Sequence, residues 1–254
     1  MIVIALVLGV IVGALLGLVG GGGSILAVPA LVYGLGLPLA EAIPSSLIVV
    51  GAASAVAVLP RLRRGVHWRL AFIIGVAGVA TAYLGTTVNR MLDQRVLLGA
   101  FSVIMVIAGV RMFLPTRSAG GPCALPGGRV NWRSCLPRAL AAGAVVGFLT
   151  GLLGVGGGFL IVPALTLVLG LPMGVTVGTS LVIIVINSVA GFAAHLDEVQ
   201  IDWAVTGAFA ASAMGSSLVA GRLGRGLSDT VLKRGFAVLV LGVAAYVAIT
   251  ALIG

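Results

Sequence analysis

Residues 17–31, GLVGGGGSILAVPAL, and residues 151–165, GLLGVGGGFLIVPAL, agree at ten of fifteen positions at a constant offset of 134. A chain that repeats so long a stretch is a duplication, and whatever the first copy builds the second builds again. The correspondence runs on. Gly36-Leu37-Pro38 matches Gly170-Leu171-Pro172, Ser46-Leu47 matches Ser180-Leu181, and after a one-residue slip Trp68 matches Trp203 and Phe101 matches Phe236. Both copies place a cluster of glycines inside an apolar run, where a helix loses stability.

The solvent of this chain is lipid. It is 60% hydrophobic and 8% charged, whereas a soluble domain carries about 25% charged residues. The first twenty residues lack a basic n-region and read as a first span rather than a leader. Breaks at charges, Pro and Gly leave five apolar segments per half: about 2–19, 23–37, 43–60, 68–88 and 94–114, then 138–153, 157–171, 177–195, 203–221 and 231–253. The expected fold is an all-α integral membrane protein of about ten hydrophobic segments. Residues 1–114 form transmembrane repeat 1, residues 115–137 a cytoplasmic linker, and residues 138–254 transmembrane repeat 2, together one membrane domain.

The net charge of +9 points to topology, not to nucleic acid, because the basic residues sit in short connections. Thirteen of the fifteen Lys and Arg fall at 61–69, at 111–138 around the linker, or at 222–234, and these read as cytoplasmic. Arg90, Asp93 and Arg95, and the acidic Asp197, Glu198 and Asp202, read as outside. The connection after the third segment is Arg-rich and that after the eighth is acidic, so the repeats face opposite ways. Opposite facing needs an odd number of crossings per repeat: five if the short second segments cross, three if each first pair is a re-entrant hairpin. Either is an inverted repeat, the architecture of secondary transporters. Cys123 and Cys135 are too few for a disulfide framework or a zinc site and read as plain thiols.

Three readings compete for the glycines. A phosphate loop needs a Lys and a hydroxyl after its last Gly, and neither copy has the Lys. Packing of small residues between helices suits Gly13 with Gly17 and Gly143 with Gly147, but not four glycines in succession. A break in a membrane helix, tolerated only where it lines a cavity or is buried in protein, suits them best. A fresh helix start beyond the break exposes N–H groups and a positive dipole end, which is a site for an anion. Two such starts near mid-membrane would form one pocket from Gly21, Gly22, Gly23 and Ser24 with Gly156, Gly157 and Gly158. Since residues 1–60 carry only Glu41 and residues 139–196 no charge, such an anion would rely on amides, hydroxyls and carboxamides. Ser45, Ser46, Thr179, Ser180 and Asn187 are the nearest polar candidates. N-capping competes for Ser45 and Thr179, and an interhelical bond for Asn187, whose repeat counterpart is Ala53. Glu41 could carry a coupling proton, although LPLAEAIP reads as a helix-terminal loop, and His195 reads as interfacial.

The paired G-x-x-G-x-G-G-[GS]-x-[LI]-x-V-P-x-L runs, each followed by G-L-P and a Ser/Thr-rich helix start, resemble the TauE/SafE family, also called the sulfite exporter or toluene-sulfonate uptake permease family. The resemblance covers nearly the whole chain. It implies a multi-pass protein of the bacterial cytoplasmic membrane that moves sulfite, sulfonates or related small sulfur anions, with no cofactor and no enzymatic activity. Ile43-Pro44-Ser45-Ser46 departs from the more typical Val177-Gly178-Thr179-Ser180, so the two half-sites are not equivalent. A secondary transporter working by alternating access is the leading expectation. An anion channel using the same broken helices as a filter is the alternative, and the oligomeric state is not readable.

Overall fold

The computed structural model describes residues 1–62, 65–89, 91, 94–113, 132–153, 158–193 and 201–253. Among them there is no strand. Ten α-helices stand at the ten apolar segments: α1 Ile2–Val19, α2 Ser24–Pro29, α3 Leu39–Val58, α4 Trp68–Asn89, α5 Gln94–Phe113, α6 Trp132–Leu153, α7 Gly158–Pro163, α8 Met173–Ala193, α9 Trp203–Leu223 and α10 Asp229–Ile253. Seven of them are long and apolar enough to cross a membrane among the described residues. α6 begins at Trp132, inside the stretch assigned to the linker, and carries Pro137. Pro137 lies in its second turn, where a proline cannot donate the next bond of the helical ladder. Cys135 is buried and disulfide-bonded, a correction to the plain thiol expected of it; Cys123 lies outside the described residues.

The duplication is visible in the local structure. Pro29 and Pro163 each end a six-residue helix and are followed by matched π-helical turns, Ala30–Gly34 and Ala164–Val168, because a proline cannot donate to the α-helical ladder and the wider turn absorbs the gap. Gly36 and Gly170 then turn the chain at φ 72° and 69°, a conformation that costs only glycine little. Across the repeats, α1 packs on α9 as α6 packs on α4, while α3 meets its own counterpart α8 and α5 meets α10.

Small residues set these pairings. Gly9, Gly13 and Gly17 of α1 lie against the backbone at Phe209, Ala213 and Ser217 of α9; Gly143, Gly147 and Gly151 of α6 lie against Ile74, Gly78 and Ala82 of α4. Spacing of four keeps each triplet on one helix face. Lipid supplies no hydrophobic drive between helices, so close backbone approach and dispersion hold them together. Ser217 Oγ adds a 3.0 Å bond to the Ala53 carbonyl of α3.

The same contacts fix helix directions. Residue numbers rise together along α1 with α9 and along α4 with α6. They rise together along α3 with α9, where Thr206 meets Ser45 and Ser217 meets Ala53. Along α3 and α8 they oppose, Leu47 meeting Gly191 and Gly51 meeting Ser188. The segment from Gly21 to Gly34 doubles back on α1, with Gly23 against Leu16 and Gly34 against Leu8. Its fourteen residues would extend about 21 Å as helix, short of the roughly 30 Å hydrocarbon core.

Candidate functional site

α1 ends where Gly20 takes φ 76° and ψ −116°, a backbone closed to residues with a Cβ. Gly21, Gly22 and Gly23 form one 3-10 turn, all buried, and α2 starts at Ser24. The glycine run is therefore a helix break, as its sequence suggested, and Gly21 and Gly23 within it are also points of close packing. The first N–H groups after such a break have no partner within the helix.

The first break touches the start of α7. A side-chain carbon on Gly21 would collide with the Gly158 carbonyl, and one on Gly158 would stand 2.5 Å from Ser24 Oγ and 2.9 Å from Ile184. Ile184 is near the middle of α8, so the contact is at mid-depth of that helix. Gly156 and Gly157 lie outside the described residues, as does His195. Gly22 points elsewhere: its missing side chain would make ordinary contacts of 3.5 and 3.6 Å with Leu239 and Phe236 of α10. The glycines therefore divide, Gly21 and Gly158 at the junction of the repeats and Gly22 on an apolar wall.

The hydroxyls divide as well. Ser180 is fully buried and faces the break, since a side-chain carbon on Gly20 would stand 2.6 Å from its Oγ. It donates to the Val177 carbonyl at 2.9 Å, as Ser46 donates to Ile43 at 2.7 Å and Ser24 to Gly21 at 2.7 Å. Each proton is held by a carbonyl three residues back in its own chain. Thr179 and Ser45 face away. Thr179 Oγ1 accepts the His67 N–H at 3.1 Å, just before α4, and Ser45 Oγ accepts from Thr206 at 3.1 Å in the first turn of α9. They tie neighbouring helix starts to α8 and α3. Asn187 faces Gly78 of α4, and its Oδ1 is buried with no hydrogen-bond partner. Glu41 lies in the first turn of α3, between Pro38 and Pro44.

One residue was not among the sequence candidates. Arg61, counted there as a topology charge, is 5% exposed, and its Nη1 donates to the Gly17 carbonyl at 3.1 Å, three residues before the break. The only available signal was its being the first basic residue after an uncharged segment.

The family model described as "Sulfite exporter TauE/SafE" matches residues 5–247. A "Probable membrane transporter protein" of Xylella fastidiosa (strain 9a5c) is 32% identical over 251 residues, covering 94% of this chain and 92% of its own. "Probable membrane transporter protein YunE" of Bacillus subtilis (strain 168) is 27% identical over 228 residues, covering 79% and 80%. No solved structure matches the chain significantly. With the repeat, the broken helices and seven membrane-length spans in place, the match is to the whole architecture: the chain belongs to the TauE/SafE family of multi-pass membrane transporters.

Proposed function

We propose that this transporter moves small sulfur oxyanions, sulfite or organosulfonates, by alternating access of two inverted repeats about the junction of the glycine breaks. The observation that carries the reading is the contact of Gly21 and Ser24 with Gly158 beside Ile184, which brings two helix starts together at mid-depth. Helix starts favour anions through their N–H groups and dipole. The opposed directions of α3 and α8 and the exchange of partners between repeats support the inverted arrangement. In it, residues 1–114 and 138–254 are the two inverted repeats of one membrane domain.

The site of the proposal is Gly21, Gly22, Gly23, Ser24, Gly156, Gly157, Gly158, Ser46 and Ser180, with Asn187 as an added polar group deeper on α8. Ser45 and Thr179 hold this frame. The serine protons, bonded to their own backbone when empty, would swing to the anion when it arrives. Each contact is then an exchange of one bond for another, and binding stays weak enough for release.

Uptake into proteoliposomes of sulfite, sulfate, thiosulfate, taurine and sulfoacetate, with and without a proton gradient, tests the reading. Saturable uptake of at least one sulfur anion, accelerated by the same anion on the far side, is the expected result. Flux that neither saturates nor exchanges favours a channel with the broken helices as its filter.

A further inference from the structure

Three buried serines of the long helices give their protons to their own backbone. Ser46, Ser180 and Ser217 each donate to a carbonyl three residues back, at 2.7, 2.9 and 2.9 Å. Ser54 of α3 does not: it is fully buried, and its Oγ has no hydrogen-bond partner. Its hydroxyl is turned off the carbonyls that a helical serine ordinarily uses, and within a bilayer no water offsets the unmade bond. Ser102 Oγ shares that condition, but on α5, whose main partner is α10.

The register of α3 on α8 fixes the depth of the Ser54 hydroxyl. Leu47 meets Gly191. Ser54 lies two turns further along the same face of α3, level with Ile184, which is two turns before Gly191 on the opposed α8. A side-chain carbon on Gly158 would stand 2.9 Å from Ile184, so Ser54 is at the depth where Gly21 and Ser24 meet Gly158. Its counterpart at the offset of 134 is Ser188, which is also buried and faces Gly51 of α3. Ser188 is one turn beyond Ile184, so the two serines are roughly 6 Å apart along the helices.

We propose that Ser54 and Ser188 are paired donors for the transported oxyanion, one on each repeat, each giving its proton to a different oxygen of the sulfite or sulfonate group. The proposal rests on the transport reading above and names further donors of that site. Ser24, Ser46 and Ser180 must give up a backbone bond to reach an anion. Ser54 gives up none, so its contact adds to affinity in full. A pair of neutral hydroxyls also holds an anion without the fixed charge that would delay its release. Both serines are shut from solvent in this conformation, so the anion reaches them when α3 and α8 part, which ties binding to the movement of one repeat against the other.

Half-saturation of sulfite counterflow in proteoliposomes and the thermal midpoint in detergent are measured for Ser54→Ala, with Ser102→Ala as the control. The half-saturating concentration should rise about 10- to 100-fold in Ser54→Ala and stay unchanged in Ser102→Ala. Neither midpoint should fall, because each change removes an unmade bond. Ser188→Ala should raise half-saturation as well. An unchanged value in Ser54→Ala, or a rise shared by Ser102→Ala, overturns the proposal and leaves the transport reading standing. If Ser54→Ala cannot be produced, Ser54→Cys, which keeps the volume and weakens the donor, takes its place, and an unchanged half-saturation there overturns the proposal equally. Where the unaltered protein shows no sulfite counterflow, sulfite and sulfate are titrated against its thermal midpoint. A rise that Ser54→Ala abolishes keeps the hydroxyl pair as an anion site and sinks only the transport reading; no rise overturns both.

Discussion

Ser180 and Thr179 are adjacent in sequence, yet their hydroxyls serve different neighbours. Ser180→Ala removes a hydrogen bond to a charged substrate, about 1.5–3 kcal/mol, but also the bond of about 0.5–1.5 kcal/mol that Ser180 makes to Val177 when the site is empty. The difference, about 1–1.5 kcal/mol, predicts a loss of substrate affinity of about tenfold, measurable by isothermal calorimetry in detergent. Thr179→Val should leave affinity near its original value and lower the thermal midpoint instead, because it strips the acceptor from the His67 N–H. The sequence placed both hydroxyls at a helix start opposite the glycines, but α8 starts at Met173 and both stand in its second turn, where neither can act as an N-cap. It could not show which faced the break, since that depends on the rotation of α8 against the 65–67 connection, more than a hundred residues away.

At the scale of the helix pair, the glycine triplets on α1 and α6 set how closely α9 and α4 approach. Gly147→Leu would push against the Gly78 backbone and Thr81 Oγ1, neither of which can retreat without moving α4. The expected outcome is a sharp fall in the yield of monodisperse protein, read by size-exclusion chromatography of detergent extracts. Gly215→Leu, at a position of α9 with nothing within 4 Å, should leave the yield unchanged. The segments themselves were legible because lipid leaves only helices able to satisfy their backbone. Their ends were less so. α6 starts six residues before the apolar run at Arg138, since Trp132 and Cys135 are compatible with a first turn although neither of them signals one. Arg61 escaped because charge counting treats every Arg as a topology marker. It stands beside Gly17, Gly221 and Gly224, from two other parts of the chain.

For the whole molecule, the charge map predicts that residues 61–69 and 222–234 lie in the cytoplasm and the 90–95 connection outside. Gly226→Cys adds a side chain in open space, and Met91 is 82% exposed, so both positions accept a cysteine on a background free of Cys123 and Cys135. In intact cells an impermeant maleimide should label Met91→Cys and spare Gly226→Cys. Labelling of both would contradict the assignment. The duplication was readable from residue matches alone, and the charge map adds the expectation that its halves face opposite ways. The way the halves interlock was not readable, because α1 finds its main partner in α9 and α4 in α6, pairings that no local pattern encodes.

If the anion passes where Gly21 meets Gly158, substitutions at the neighbouring glycines Gly21 and Gly22 have opposite effects on transport. Gly21→Ala sets a methyl group against the Gly158 carbonyl, whereas Gly22→Ala fits at 3.5 Å or more from Leu239 and Phe236. Sulfite counterflow is measured in proteoliposomes loaded with equal amounts of each variant. The account predicts saturable counterflow in the unaltered protein and in Gly22→Ala, and its loss in Gly21→Ala. Counterflow of equal rate in all three would contradict it and place the path elsewhere.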